Sequence, residues 1–420
     1  MGNRTGRRVG TSRRGFGVAT VGALGAALLG GAGLWRLGPQ GAVAATRSAV
    51  PPSGEEMRGT WVATTGNLNW PSRPGLPVEE QRAELDAWLD LAVRHRMNTV
   101  VLQVRANADT LWPSALEPWS AVLTGTQGQD PGWDPLGHAV EQAHARGLEL
   151  HAWFNPYRIA AHDDPDRLAE DHPARLHPEW VIAYQGKLYY DPGRPEVQRH
   201  VRDVVLEVAH AYPVDAVHWD DYFYPQETGG VPFGDDASWE SHGQGFEDRA
   251  AWRRDNVNTL VRETGREVRA VREGLRFGIS PSGVWRNASA DPRGSDTQAF
   301  ASYDDLHADS RRWVRKEWID YVVPQVYWEI GHSAADYDTV VRWWAEQVRD
   351  TSVQLAIGEA VYKVGAAGQP AAWHDAGELS RHLELAGTLA EVRGHVLFSA
   401  GDVRRDPLGA VTRMVDEHWS

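Results

Sequence analysis

Val214-Asp215-Ala216-Val217-His218-Trp219-Asp220-Asp221-Tyr222-Phe223-Tyr224-Pro225 begins as an apolar, strand-like run and ends in two adjacent carboxylates bracketed by aromatic rings. The same plan recurs along the chain, with apolar runs over 57–65, 98–106, 148–159, 214–224, 276–286, 319–328, 353–364 and 394–403. Between them, segments 79–96, 135–146, 195–211, 247–273, 336–349 and 376–391 carry apolar residues at helical spacing. Runs such as Thr99-Val100-Val101-Leu102 and Val353-Gln354-Leu355-Ala356-Ile357 are apolar or β-branched nearly throughout, as strands covered on both faces are. Eight such units predict an α/β chain folded as one closed (β/α)8 TIM barrel. An open doubly wound sheet is the competing architecture, and it would often carry a Gly-rich phosphate loop after the first strand, where this chain has none. The 420 residues suit a single barrel with insertions. The longest insertions follow the second, third and fourth runs and include the polar segment 226–244, which in a barrel belongs to the catalytic face.

The first segment has another character. Arg4, Arg7, Arg8, Arg13 and Arg14 precede an uncharged Ala/Gly-rich run over 18–34, and Ser12-Arg13-Arg14-Gly15-Phe16-Gly17 resembles a twin-arginine export signal. Ala42-Val43-Ala44 offers a small-residue cleavage site, so residues 1–44 are expected to be a signal peptide, 45–54 a linker and 55–420 the barrel of an exported, cell-wall-associated or extracellular protein. An uncleaved anchor is the alternative; the run is short and weakly apolar for one. Without residues 1–44, 37 basic side chains face 57 acidic ones, a net charge of −20 that makes nucleic acid and anionic membrane poor partners. The chain has no Cys, which removes disulfides and thiolate metal sites, and His138, His144 and His151 fall on different turns of a helix and the next strand. No metal or cofactor is expected. The 20 Trp residues supply flat apolar faces that suit a core or the face of a sugar ring.

In a barrel, residues at strand exits are the candidates for chemistry. Asp220 and Asp221 lead them. Paired carboxylates at a strand exit are costly unless solvated, paired or functional, and their mutual repulsion favours one proton on the pair, as glycosidic cleavage requires. The competing structural role gives one Asp to a barrel Arg and the other to a turn cap. Other polar exit residues are Gln103, Arg105, Asn107 and Asp109; Asn155, Tyr157 and Arg158; Ser280 and Arg286; and Gln325, Tyr327 and Trp328. Together they predict a wet floor with aromatic walls for a polyhydroxylated ligand. Glu329 and Glu359 are the remaining carboxylates that could oppose the pair, their separation deciding between retention and inversion.

Met57-Arg58-Gly59-Thr60-Trp61-Val62, Gln103-Val104-Arg105-Ala106-Asn107, His151-Ala152-Trp153-Phe154-Asn155-Pro156-Tyr157-Arg158, the Asp-Asp-Tyr-Phe-Tyr-Pro block, Gly278-Ile279-Ser280-Pro281-Ser282-Gly283-Val284-Trp285-Arg286 and Pro324-Gln325-Val326-Tyr327-Trp328 resemble the glycosyl hydrolase-like 10 family from about residue 58 to about residue 365. The resemblance implies a TIM-like barrel in an exported bacterial protein, with glycoside hydrolase activity on cell-wall glycan strands, especially those stripped of peptide. The Asp pair matches the family pattern; Glu329 and Glu359 do not. The pair is also similar to families that cleave N-acetylhexosaminides with help from the substrate's own acetamido oxygen. By that analogy Asp220 orients the acetamido group and Asp221 protonates the leaving oxygen. The expected substrate is an N-acetylhexosamine-containing glycan such as peptidoglycan, bound by Trp61, Gln103, Arg105, Asn107, Asn155, Tyr157, Arg158, Tyr222, Tyr224, Gln325, Tyr327 and Trp328. The rivals are a carbohydrate-binding barrel without chemistry and a two-carboxylate glycosidase using Asp220 with Glu359 or Glu329 on an α-glucan-like polymer.

Overall fold

The computed structural model describes residues 56–419. The expected signal and linker, 1–54, lie outside them. Eleven strands occur in chain order: β1 (Met57–Val62), β2 (Thr99–Arg105), β3 (Glu149–Phe154), β4 (Arg158–Ala160), β5 (Val181–Tyr184), β6 (Lys187–Tyr190), β7 (Ala216–Trp219), β8 (Arg276–Ile279), β9 (Tyr321–Val322), β10 (Gln354–Ala360) and β11 (Val392–Phe398). Eight of them close into a parallel barrel in the order β1-β2-β3-β7-β8-β9-β10-β11, with β11 returning to β1. Each apolar run of the sequence holds one barrel strand. The runs overshoot at their C-terminal ends; run 319–328 gives the sheet only Tyr321 and Val322.

Helices occupy the expected segments because their apolar spacing buries one face. In Pro195–Ala211, proline starts the helix and Val197, Val201, Val204, Val205 and Val208 are all buried. Each such side chain adds roughly 1.5–3 kcal/mol on burial. The chain ends in Ala410–His418, whose buried Val411, Met414 and Val415 extend the outer layer.

The apolar run 148–159 reads as one strand; the structure divides it at Asn155-Pro156-Tyr157. Pro156 has no N–H for a ladder, and the chain turns there into a separate antiparallel sheet of order β4-β6-β5. This sheet lies in the insertion after β3, together with the short helix Pro173–Leu176.

Alternation within each barrel strand separates two environments. Val100, Leu102 and Val104 of β2 join the large outer core, whereas Trp61, Val101, Trp153, Ala216, Tyr321, Ala356 and Val396 fill the lumen. Trp70, Trp88, Trp112, Trp219, Trp252, Trp313, Trp344, Trp373 and Trp419 are fully buried, so the tryptophan excess serves packing first.

Gly278 makes room in the lumen for the Tyr321 ring of the neighbouring strand, since a Cβ there would lie 2.1 Å from its Cζ. Gly278→Ala is therefore expected to destabilise the barrel by about 1–3 kcal/mol through overpacking, measured as a lowered denaturant midpoint. An unchanged midpoint would show that the ring can move aside.

Candidate active site

The lumen-facing positions at the C-terminal ends of the strands enclose a cavity of ≈ 260 Å³. Its lining includes Trp61 of β1, Gln103 of β2, Trp153 and Asn155 at the end of β3, and Asp220 after β7. Ser280, Gln325, Tyr327, Tyr362 and Phe398 complete the far wall, and Arg158 and the exposed Tyr222 and Leu68 form the rim. All these residues sit at or beyond strand exits, where barrel enzymes place their chemistry. A larger cavity of ≈ 990 Å³ opens at the opposite mouth. It is lined by ion pairs such as Arg269–Asp320 at 2.8 Å and Arg349–Glu391 at 2.9 Å. That face of a barrel serves stability.

Asp220 is sealed from bulk water, with 3% of its surface exposed. Its Oδ2 accepts hydrogen bonds from Trp153 Nε1 at 3.1 Å and Asn155 Nδ2 at 2.8 Å. Its Oδ1 accepts the weaker backbone N–H of Tyr222 at 3.3 Å. The Asn155 amide has one allowed orientation. Gln103 Oε1 accepts the backbone N–H groups of Thr64 and Thr65, both at 2.9 Å. Gln103 Nε2 must then donate to Asn155 Oδ1, at 2.7 Å, which leaves Asn155 Nδ2 for Asp220. β1 thus orients a carboxylate three strands away.

Burial pushes the Asp220 carboxyl up to about 7, with the Asp221 charge adding to the rise and the Arg158 guanidinium opposing it. Arg158 is held over the Tyr222 ring at 5.4 Å and donates to Ala106 O at 3.2 Å and to Thr65 Oγ1 at 3.3 Å. Asp221 is pushed up to about 6, again mainly by burial, with Gln325 drawing it back. It is less enclosed than Asp220 and does not line the cavity, though its charge reaches the Tyr327 phenol that does. The two carboxyls therefore retain a proton between them up to about pH 6–7.

Of the binding residues expected from the sequence, Trp61, Gln103, Asn155, Arg158, Tyr222, Gln325 and Tyr327 line the cavity, and Arg105, Asn107, Tyr157, Tyr224 and Trp328 do not. Arg105 is 1% exposed and forms a two-pronged ion pair with Glu117, at 2.6 Å for each bond. Its remaining nitrogen turns to the carbonyls of Asn155 and Pro156. Tyr157 and Tyr224 are core residues, the latter bonded to Asn256 at 3.1 Å. Asn107 is partly buried on the loop after β2, and Trp328 packs against the outer core. Trp153, Leu68, Tyr362 and Phe398 were not anticipated. Trp153 had a signal, since it shares the face of Asn155 two residues on; Leu68 and Tyr362 come from loops with none.

Neither alternative carboxylate reaches the cavity. Glu359 points outward from β10 and accepts Tyr337 Oη at 2.7 Å, His382 Nδ1 at 2.8 Å and His395 Nδ1 at 2.9 Å. These partners, His382 foremost, outweigh burial and hold it down at about 2. Glu329 accepts Trp373 Nε1 at 3.0 Å. The two-carboxylate scheme with either of them lacks its geometry. His138, His144 and His151 each pair with a different carboxylate, and among the described residues no His/Asp/Glu group could hold a metal ion.

A parallel eight-stranded barrel with a buried carboxylate and aromatic walls in a cavity at its C-terminal mouth has the architecture of TIM-barrel enzymes. The chain belongs to the glycosyl hydrolase-like 10 family, whose model matches residues 56–375. It is 47% identical over 360 residues to glycosyl hydrolase YngK of Bacillus subtilis (strain 168), covering 85% of this chain and 70% of that one. It is 37% identical over 407 residues to glycosyl hydrolase DigH of Escherichia coli (strain K12), covering 91% and 92%. The glycoside hydrolase domain of PgaB (BpsB) from Bordetella bronchiseptica shares the fold at a TM-score of 0.57 and 13% identity, over 86% of this chain and 98% of that one. The catalytic domain of β-amylase from Paenibacillus polymyxa does so at 0.53 and 10%, over 86% and 97%.

Two measurements separate site from scaffold. Arg105→Ala takes the two-pronged partner from buried Glu117 and leaves it His200 alone, at 3.0 Å, so stability should fall by about 3 kcal/mol, read as a lower thermal midpoint. A fully stable variant with weakened glycan binding would instead make Arg105 a binding residue. For Asp220, the unfolded carboxyl ionises near its ordinary 3.8 and the folded one near 7, so its contribution to stability is complete below about pH 4 and lost as pH rises through 7. Asp220→Asn removes that loss and should raise the thermal midpoint at pH 8 by about 2 °C or more, the scale of about 1 kcal/mol. Near pH 4 the gain should vanish; an equal gain at both pH values would contradict the assignment.

Proposed function

We propose that this protein is an exported hydrolase that cleaves N-acetylhexosamine-containing glycan, peptidoglycan strands foremost, with Asp220 and Asp221 as its catalytic pair. The observation that carries the reading is the water-shielded carboxylate of Asp220, raised toward neutrality beside a second carboxyl in an aromatic-walled cleft. Family membership supports glycosidase chemistry in general; the substrate and the division of labour are inferred.

The donors on Asp220 suit an anion. Trp153 and Asn155 hold its Oδ2 at a fixed place in the lumen, where a carboxylate can orient an acetamido group and balance positive charge developing on it. Asp221, nearer the rim beside Gln325 and Tyr327, accepts fewer hydrogen bonds and suits the acid that protonates the leaving oxygen. A substrate that supplies its own nucleophile accounts for the absence of Glu329 and Glu359 from the cleft. Tyr222, Tyr327, Tyr362 and Phe398 provide the faces against which sugar rings pack. A barrel that binds glycan without cleaving it has no need of two carboxyls held near neutrality, which favours the enzyme.

Asp221→Asn should lower turnover on peptide-free peptidoglycan strands by at least about a hundredfold, as loss of a general acid does, while the fold stays intact. Because the acid, Asp221, must carry its proton, wild-type activity should fall as pH rises above about 6. Mass analysis of products from these strands, with α-glucan in parallel, checks both points. Undiminished release of reducing ends by the variant would sink the assignment, and cleavage of α-glucan alone would replace the substrate.

A further inference from the structure

A second polar chain runs along the barrel axis and ends at the cleft. Trp61 Nε1 lies 3.3 Å from His218 Nε2, and Ser280 Oγ lies 3.0 Å from the same atom. His218 Nδ1 is 3.0 Å from Tyr321 Oη, which is 3.0 Å from His151 Nδ1. His151 Nε2 is 3.0 Å from Glu149 Oε2 at the opposite mouth, where Arg276 pairs with the same carboxylate. His151, His218 and Tyr321 are fully buried.

Donor and acceptor chemistry sets the direction of this chain at its cleft end. An indole N–H only donates, so His218 Nε2 is an acceptor and the proton of its neutral ring is on Nδ1. Burial, pushing His218 well below its ordinary value, keeps the ring neutral. His218 Nδ1–H then donates to Tyr321 Oη, whose single proton goes to His151 Nδ1. His151 Nε2 then faces the Glu149 carboxylate and, at 3.2 Å, the donating Arg276 guanidinium, so it is the indole at the cleft end that sets the direction. The consequence falls on Ser280. Its hydroxyl hydrogen has two protein acceptors, His218 Nε2 and, at 3.4 Å, Trp219 O. Its lone pairs are left for the cavity that it lines.

We infer that Ser280 is a specificity-determining binding residue that meets the substrate as a hydrogen-bond acceptor, selecting a sugar hydroxyl or amide N–H at that point. His218 and Tyr321 are positioning residues that hold its hydroxyl in this sense. The inference deepens the glycan reading and rests on it. It also explains why polar side chains occupy the lumen below the cleft, where aliphatic ones would pack as well.

The test uses the full chain labelled with 15N-histidine, in an Asp221→Asn background that prevents turnover. The expected spectrum shows His218 neutral with the proton on Nδ1, and Tyr321→Phe, which removes the acceptor for that proton, changes the signal. Ser280→Ala should weaken binding of a short N-acetylglucosamine oligomer by about three- to tenfold, the worth of one hydrogen bond, with an unchanged thermal midpoint. Tyr321→Phe should weaken it in the same direction. A His218 protonated on Nε2 overturns the inference, as does an oligomer bound equally by Ser280→Ala and its parent. Failure of the parent itself to bind any glycan overturns the glycan reading along with it.

Discussion

The hydrogen bond from Asn155 Nδ2 to Asp220 Oδ2, 2.8 Å long across the β3–β7 seam, is the contact on which the cleft depends. It exists because parallel pairing sets His151 against Ala216 and carries that register to the strand exits, where both side chains turn inward. A shift of one residue in either strand would send one partner to the outer face. The bond's polarity comes from further away. Gln103 reads two backbone N–H groups just past β1 and passes their direction through its own amide to Asn155. Four successive segments of the barrel wall therefore agree on where a single carboxylate oxygen points.

Two buried carboxylates of the same barrel show how surroundings decide ionisation. Glu359 is as buried as Asp220, yet two histidines hold it ionised and low. Asp220 has only neutral donors in contact, a like charge beside it and one arginine held off by its own hydrogen bonds. Desolvation wins at one and charge pairing at the other. The outward one ties β10 to the helices Tyr337–Val348 and Glu378–Ala386, and the inward one is left near neutrality in an open cleft.

Strand number and helix spacing were readable because they depend on local hydrophobic period. The 3.6-residue repeat of 195–211 and the unbroken apolar run of 353–357 each report which faces are covered, whatever covers them. The Asp pair stands out in the sequence because two adjacent acids at a strand exit contradict the local pattern, and the structure places Asp220 of the two in the cavity. Arg105 was misread by the same logic. It sits two residues beyond Gln103 and by alternation should share its face, but pairing with β3 slips between those positions. The slip turns Arg105 from the cleft toward Glu117. Strand β4 was merged with β3 because Pro156 interrupts a run that looks continuous in composition, and β5 and β6, four residues each, are too short to give a clear period.

The sequence by itself determined the α/β class, the eight strands and the acidic pair, since each is written in neighbouring residues and in periods of two or 3.6. Tertiary structure alone decided which strand-exit side chains meet. Tyr157 and Tyr224 look as fit for a sugar as Tyr327, yet only Tyr327 faces the cavity. Leu68, Tyr362 and Phe398 join it from the first and the last two βα units of the chain, which are brought together when β11 pairs with β1. Closure of the barrel makes sequence-distant residues neighbours, and that step, with the register slips that accompany it, leaves no mark in any local window of the chain.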